Sequence, residues 1–194
     1  MKRTVQNLAK AYIGESQARN RYTMFASVAR NEGYEQVAAI FLETADQEKE
    51  HAKQILKMLL EIRDKEMAGT TEVLVEAPVP LVLGTTADNL KAAMAGEHYE
   101  NQVMYPQIAK DAEAEGYAEV ARRMKAITVA ETHHEDRYKK LLKQVEERSY
   151  FKKKTRVWWT CRECGYVHYG EEPPELCPSC SHSKSFYQLL QEEY

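Results

Sequence analysis

Apolar residues recur at steps near three, four and seven from about Thr4 to Asn31, through Leu8, Tyr12, Ala18, Tyr22, Phe25 and Val28. That period predicts one long amphipathic helix. It returns from about Glu35 to Glu66 through Val37, Ile40, Phe41, Ile55, Met58, Leu59 and Ile62, and Gly33 supplies the left-handed residue that separates the two. Between Gly69 and Thr86 the pattern breaks into β-branched residues with Pro78 and Pro80, which forbid a helix. So long a connection suits a bundle whose second and third helices run parallel, and its apolar residues are expected to pack on the bundle. A third helix is expected from a cap at Asp88 through Ala92, Ala93, Met94 and Val103 to about Glu115, kinked at Pro106. A fourth runs from about Tyr117 to Arg148. After Tyr150 the helical period is lost, and Trp158, Trp159, four cysteines and the pair Pro173-Pro174 announce a second module. The expectation is an all-α four-helix bundle over 1–150 and a small β-rich metal-knuckle domain over 151–194.

The two helical halves repeat each other. Aligning Gly14-Glu15 with Gly96-Glu97 brings Glu32-Gly33-Tyr34 close to Glu115-Gly116-Tyr117, sets Val37-Ala38 beside Val120-Ala121, and places Glu48 and His51 on Glu131 and His134. In each half a Glu is followed some thirty residues later by E-x-x-H, the donor set with which four helices hold two metal ions. Positions i and i+3 lie about 60° apart around a helix, so each Glu and His of the motif can point to one bundle axis. Carboxylate oxygens stabilise ferric iron and imidazole suits ferrous iron as well, so the mixed set favours redox cycling. Buried together without cations, these glutamates would repel and desolvate at a cost of several kcal/mol each.

The halves differ at one position. Glu100 shares a face with Glu97, whereas its equivalent in the first half is Ala18. If His51 and Glu100 reach the same iron, the metal can exchange an imidazole for a carboxylate as it oxidises. Tyr22 and Tyr105 each lie about two turns beyond a ligand glutamate and are candidates to donate to a carboxylate or to bound peroxide. His98 and His133 fall on other faces, Met94, Met104 and Met124 are expected to fill the core, and Glu43, Asp46, Glu50, Glu113 and Glu119 are expected on the surface.

Cys161-Arg162-Glu163-Cys164 and Cys177-Pro178-Ser179-Cys180 form two C-x-x-C knuckles twelve residues apart, the spacing of a tetrahedral four-thiolate site. About forty residues cannot build an adequate core unaided, so the metal supplies much of the folding free energy. Thiolate spacing does not separate zinc from iron. A redox bundle on the same chain favours iron, which exchanges single electrons in four thiolates with little rearrangement.

Composition narrows the field around these motifs. The chain has 194 residues, 43% hydrophobic and 29% charged, with a net charge of -3. That balance argues against a nucleic-acid surface, and the Lys152-Lys153-Lys154 run reads as a solvated linker. No apolar stretch approaches the roughly twenty residues of a membrane span, and Met1-Lys2-Arg3-Thr4 lacks an apolar signal core, so a cytoplasmic location is expected.

The run Gly14-Glu15-Ser16-Gln17-Ala18-Arg19-Asn20-Arg21-Tyr22, the stretch Ala45 to Ala52, Gly96-Glu97-His98-Tyr99-Glu100, the second E-x-x-H and both cysteine knuckles resemble the rubrerythrin family over nearly the whole chain. The resemblance implies a ferritin-like diiron bundle followed by a rubredoxin-like domain, with two non-haem irons in the bundle and one iron on Cys161, Cys164, Cys177 and Cys180. It implies a homodimeric peroxidase that reduces hydrogen peroxide, with electrons from NAD(P)H arriving through a separate reductase or rubredoxin-type carrier. Carried over by position, Glu48 and Glu131 are bridging carboxylates and Glu15 and Glu97 terminal ones. His134 serves one iron, and His51 and Glu100 alternate on the other. Tyr22 and Tyr105 match tyrosines beside the ligands, and His182 matches a histidine near the partner subunit's diiron site. Iron oxidation for storage, oxygen reduction, and a zinc-ribbon interaction protein are the alternatives.

Overall fold

The structure, a computed structural model, describes residues 1–192. Helix α1 spans Arg3–Asn31 and α2 spans Glu35–Glu66. Gly33, at φ 83°, closes the turn between them: its N–H donates to Arg30 (3.0 Å) and that of Tyr34 to Ala29 (2.8 Å). These paired bonds consume carbonyls that the end of a helix would otherwise leave unsatisfied. Gly116, at φ 85°, does the same before α5, with Tyr117 donating to Ala112 at 2.7 Å. The repeat seen in the sequence is therefore a repeat of turn chemistry as well as of ligands.

The second hairpin is less regular than the first. Helix α3 spans Thr86–Tyr99, a π-helical turn covers Glu100–Met104, α4 spans Tyr105–Ala114 and α5 spans Ala118–Glu146. The irregularity expected at Pro106 falls one turn earlier. Pro106 lies in the first turn of α4, where its missing N–H is tolerated, and the wider turn before it re-sets the register. The cap of α3 is Thr85 rather than Asp88. Asp88 is the other half of a capping box, its carboxylate accepting from the Thr85 N–H at 3.1 Å.

The connection between the hairpins corrects a second expectation. Residues 71–85 form no helix or strand, and Leu74 and Leu81 are 83% and 92% exposed, with Val79 and Leu83 also outward. Only the first part of the connection packs as expected, Val73 lying against the cluster of Leu8 and Ile55, and Pro78 and Pro80 hold the remainder extended.

The core divides into two apolar clusters. One gathers Ala18, Tyr22, Phe25, Phe41, Ala45, Ala93 and Tyr138, and the other Leu8, Ala11, Ile55, Tyr105, Ile108, Met124 and Ile127. On α1, α2, α3 and α5 a buried glutamate separates them: Glu15 between Ala11 and Ala18, Glu48 between Ala45 and Ile55, Glu97 between Ala93 and the Tyr105 that opens α4, Glu131 between Ile127 and Tyr138. A polar layer thus crosses the middle of the bundle.

The C-terminal module is a three-stranded antiparallel sheet of β1 (Val157–Cys161), β2 (Val167–Gly170) and β3 (Tyr187–Leu189), in the order β2-β1-β3. Its small core is Trp159, Cys161, Cys177 and Tyr187. It rests against the start of α2, where Tyr34 packs on Tyr150 and Phe151 and the Tyr150 hydroxyl donates to Gln36 at 2.9 Å.

Candidate metal centres

Five carboxylates meet in the polar layer, Glu15, Glu48, Glu97, Glu100 and Glu131, none more than 7% exposed. Two overlapping sets of four donors emerge, each with its ligand atoms within 4.8 Å of one another: Glu15, Glu48, His51 and Glu131, and Glu48, Glu97, Glu131 and His134. Glu48 and Glu131 belong to both, the position of carboxylates shared by two cations. The imidazoles face inward through Nδ1, that of His51 lying 2.8 Å from Glu131 and 3.1 Å from Glu48, and that of His134 2.9 Å from Glu131 and 3.2 Å from Glu48.

The donors are incompletely satisfied by one another. One oxygen each of Glu15, Glu48, Glu97 and Glu100, both oxygens of Glu131 and Nδ1 of His134 are buried without an aligned hydrogen bond, the imidazole–carboxylate approaches being close but not directed as one. Buried polar atoms are normally paired, so this many orphans converging on one place fit bound cations. Charge tells the same story. Burial first, and then the charges of Glu48 and Glu100, push the Glu15 carboxyl well above its ordinary value, while burial and Glu48 raise Glu97 to about 8. Burial would raise Glu48 too, but its contacts with His134 and His51 outweigh this and hold it at about 2. Mixed imidazole and carboxylate donors are those of non-haem iron sites.

Glu100 lies among the layer's carboxylates without joining either set of four donors, and His51 alone occupies the position that the sequence offered to both. It opens the π-helical turn and is buried, its carboxyl pushed well up by burial and by Glu97. The tyrosines take partners that sequence spacing had not assigned. Tyr22, on the helix of Glu15, donates to Glu97 at 2.5 Å, and Tyr105, beyond Glu97 in the second hairpin, donates to Glu15. His98 and His133 point outward, His98 pairing with Glu135 at 2.9 Å. Sequence reasoning passed over Gln47, whose Oε1 accepts from His134 Nε2 at 2.9 Å. Its place beside Glu48 was the available signal.

The four cysteine sulfurs also lie within 4.8 Å of one another, with Cys161 and Cys180 3.8 Å apart and Cys164 and Cys177 3.6 Å apart. Disulfides need sulfurs at about 2 Å. A tetrahedron with metal–sulfur bonds of about 2.3 Å has edges of about 3.8 Å, so the spacing fits one metal held by four thiolates. Gly165 at φ 76° and Ser181 at φ 60° turn the two knuckles, their N–H groups donating to Cys161 and Cys177 at 2.9 and 2.8 Å. His182 packs its ring on Phe186 at 4.5 Å beside the second knuckle.

Comparison with known proteins agrees with both centres. The family model described as rubrerythrin matches residues 6–142, and that of the rubrerythrin rubredoxin-like domain matches 159–188. A protein of Methanocaldococcus jannaschii is 54% identical across 100% of this chain and 96% of its own length. The rubrerythrin of Porphyromonas gingivalis is 44% identical across 99% of this chain and 92% of its own. Among solved structures, nigerythrin in its fully reduced, all-ferrous state superposes with a TM-score of 0.64 at 30% identity, covering 98% of this chain and 88% of that one. With a helical bundle carrying two fused carboxylate and histidine sites, a four-cysteine knuckle domain behind it, and both family models matched in that order, the chain belongs to the rubrerythrin family.

Proposed function

We propose that the protein is a non-haem diiron peroxidase that reduces hydrogen peroxide to water. The observation that carries this reading is the pair of donor sets sharing Glu48 and Glu131, on one chain with a four-thiolate site. In this reading Glu15, Glu48, His51, Glu97, Glu131 and His134 hold two irons, Glu100 stands by as a replacement ligand, and the four cysteines hold a third iron. Bound iron supplies electrons and Lewis acidity to the O–O bond.

The residues supply the rest. Two electrons and two protons convert one peroxide into two waters, and protons are stored close by. The Tyr22 hydroxyl holds one on Glu97, that of Tyr105 holds one on Glu15, and burial favours a protonated Glu100. The apolar clusters on both sides of the layer keep bulk water from the reacting atoms. Cys161, Cys164, Cys177 and Cys180 would hold an iron able to pass single electrons, which a separate reductase or carrier would supply from NAD(P)H.

We further infer a cytoplasmic homodimer in which electrons cross between subunits. What supports the crossed path is the resemblance, under which His182 matches a histidine near the partner subunit's diiron site. Among the described residues no helix is long and apolar enough to cross a membrane.

Anaerobic stopped-flow mixing of the reduced, iron-loaded protein with hydrogen peroxide, and separately with oxygen, tests the assignment. Rapid return of the ferric four-thiolate colour with peroxide and slow return with oxygen is expected. Faster return with oxygen would favour an oxidase or ferroxidase, and a colourless knuckle site after iron loading a zinc-ribbon protein.

A further inference from the structure

The two histidine donors are equivalent in the repeat but not in their surroundings. His134 is held from behind. Its Nε2 lies 2.9 Å from Gln47 Oε1, and Arg137 Nη2 lies 3.5 Å from that same atom and donates to Thr44 Oγ1 at 2.6 Å. A guanidinium only donates, so the end of the Gln47 amide that faces it is the oxygen, and Nε2 of His134 carries the proton. Nδ1 is thereby aimed at the carboxylate layer. Arg137 is itself fixed by Glu43 at 2.8 Å, and the His134 side chain is 3% exposed.

The repeat shows what His51 lacks. Under the register that places Glu48 on Glu131, Gln47 corresponds to Ala130, Glu43 to Ala126, Thr44 to Ile127 and Arg137 to Gln54. Ala130, in the place of Gln47, has no side-chain acceptor to offer. Among the described residues the contacts of His51 run through Nδ1 to the carboxylates, and its side chain is 14% exposed.

We propose that Gln47 and Arg137 are positioning residues that make the two cation positions unequal: the position served by His134 binds first and tightly, and the one served by His51 binds second and exchanges. The inference rests on the dinuclear reading of the bundle but not on peroxide as its substrate. Orienting one imidazole in advance removes an ordering cost from binding at that position only, and outer hydrogen-bond partners of metal-bound histidine are worth about 10- to 100-fold in affinity. The mobile ligand needed for exchange with Glu100 is then the histidine without an anchor.

The test is a Co(II) titration of the full chain, its four-thiolate site first filled with one equivalent of Zn(II), followed by visible absorption and calorimetry. Wild type is expected to load in two steps. Gln47→Leu should weaken the first by about 10- to 100-fold and leave the second unchanged, and Gln47→Glu, which restores an acceptor, should recover it. The doubly loaded wild type should show one slowly exchanging, paramagnetically shifted imidazole N–H, absent in Gln47→Leu. Should Gln47→Leu lose helical circular dichroism, Arg137→Gln is read in its place, with a smaller loss confined to the first step. Two equal sites in wild type, equal weakening of both steps, or no recovery with Gln47→Glu would overturn the inference. Failure of Co(II) to enter the bundle at all would overturn the dinuclear reading instead.

Discussion

Tyr22 donates its phenolic hydrogen to Glu97 across 2.5 Å and 75 residues of sequence, binding the first hairpin to the second inside the carboxylate layer. Tyr105 returns the connection from the second hairpin to Glu15. Each tyrosine thus serves the ligand of the opposite half, and the pair ties together the surfaces between which the metals sit.

Tyr22→Phe and Tyr105→Phe should each slow peroxide-driven colour return by about 10²-fold, the lower end of what a positioned proton donor contributes. Each should also cost about 1–3 kcal/mol in urea unfolding, because a buried carboxylate oxygen loses its partner. A variant that is destabilised yet reacts at the wild-type rate would assign its phenol to packing alone.

Glu100→Ala should leave both four-donor sets intact, since Glu100 belongs to neither. Cation stoichiometry should stay at wild-type values while peroxide-driven oxidation slows. Unchanged peroxide kinetics in this variant would remove the ligand exchange.

The metal-free bundle should lose stability as pH rises. Burial and Glu48 raise Glu97 to about 8, and His51 is raised to about 9 because, although burial lowers it, its contacts with Glu131 and Glu48 outweigh burial. Groups whose pKa rises on folding stabilise the fold below their unfolded values and lose that contribution as pH passes the folded ones. Glu48, held at about 2, acts oppositely, and its contribution is lost only towards that acid limit. Cation binding must displace protons, so its affinity grows with pH. Between about pH 6 and pH 9 the Tm of metal-free protein should therefore fall while the gain in Tm on Zn(II) loading widens. A metal-free Tm that rose over this interval would contradict the assignment.

Cys164→Ser removes one corner of the thiolate tetrahedron without touching the bundle. Iron-loaded protein should lose the four-thiolate colour and unfold its C-terminal module, while helical circular dichroism and cation binding by the bundle persist. Loss of bundle cations in this variant would mean that the two centres assemble together.

Gly116→Ala should cost about 1–2 kcal/mol, the price of a left-handed backbone for an L-residue, because a methyl there meets nothing within 4 Å. Gly33→Ala should cost a similar amount, its nearest neighbour being the Ser185 side chain at an ordinary 3.6 Å. Urea midpoints of the two variants should agree.

Much of this architecture could be read from residue order, for identifiable reasons. Glu48 with His51 and Glu131 with His134 declare their shared face through helical spacing, and Gly33 and Gly116 declare the turns because few other residues adopt that backbone. The four cysteines needed only their spacing. What escaped depends on contacts between halves. The exchange of partners by Tyr22 and Tyr105 follows from how the hairpins face each other, which periodicity within one helix does not encode. Thr85 caps α3 ahead of Asp88 because both belong to one box, and either alone resembles a cap. The outward Leu74 and Leu81 show that an apolar stretch does not by itself establish burial in its own chain.

The carboxylate layer draws on both hairpins, and this sets an order on synthesis. A chain emerging from its N-terminus presents Glu15, Glu48 and His51 early, but the set that includes them also needs Glu131, and the other set ends at His134. Neither is whole until the last long helix has been made, and the cysteines follow later still. A growing chain therefore offers iron only partial, weakly binding clusters, and full binding coincides with closure of the bundle. Acquisition of iron by the carboxylate layer then marks a bundle that has closed, ahead of the cysteine module.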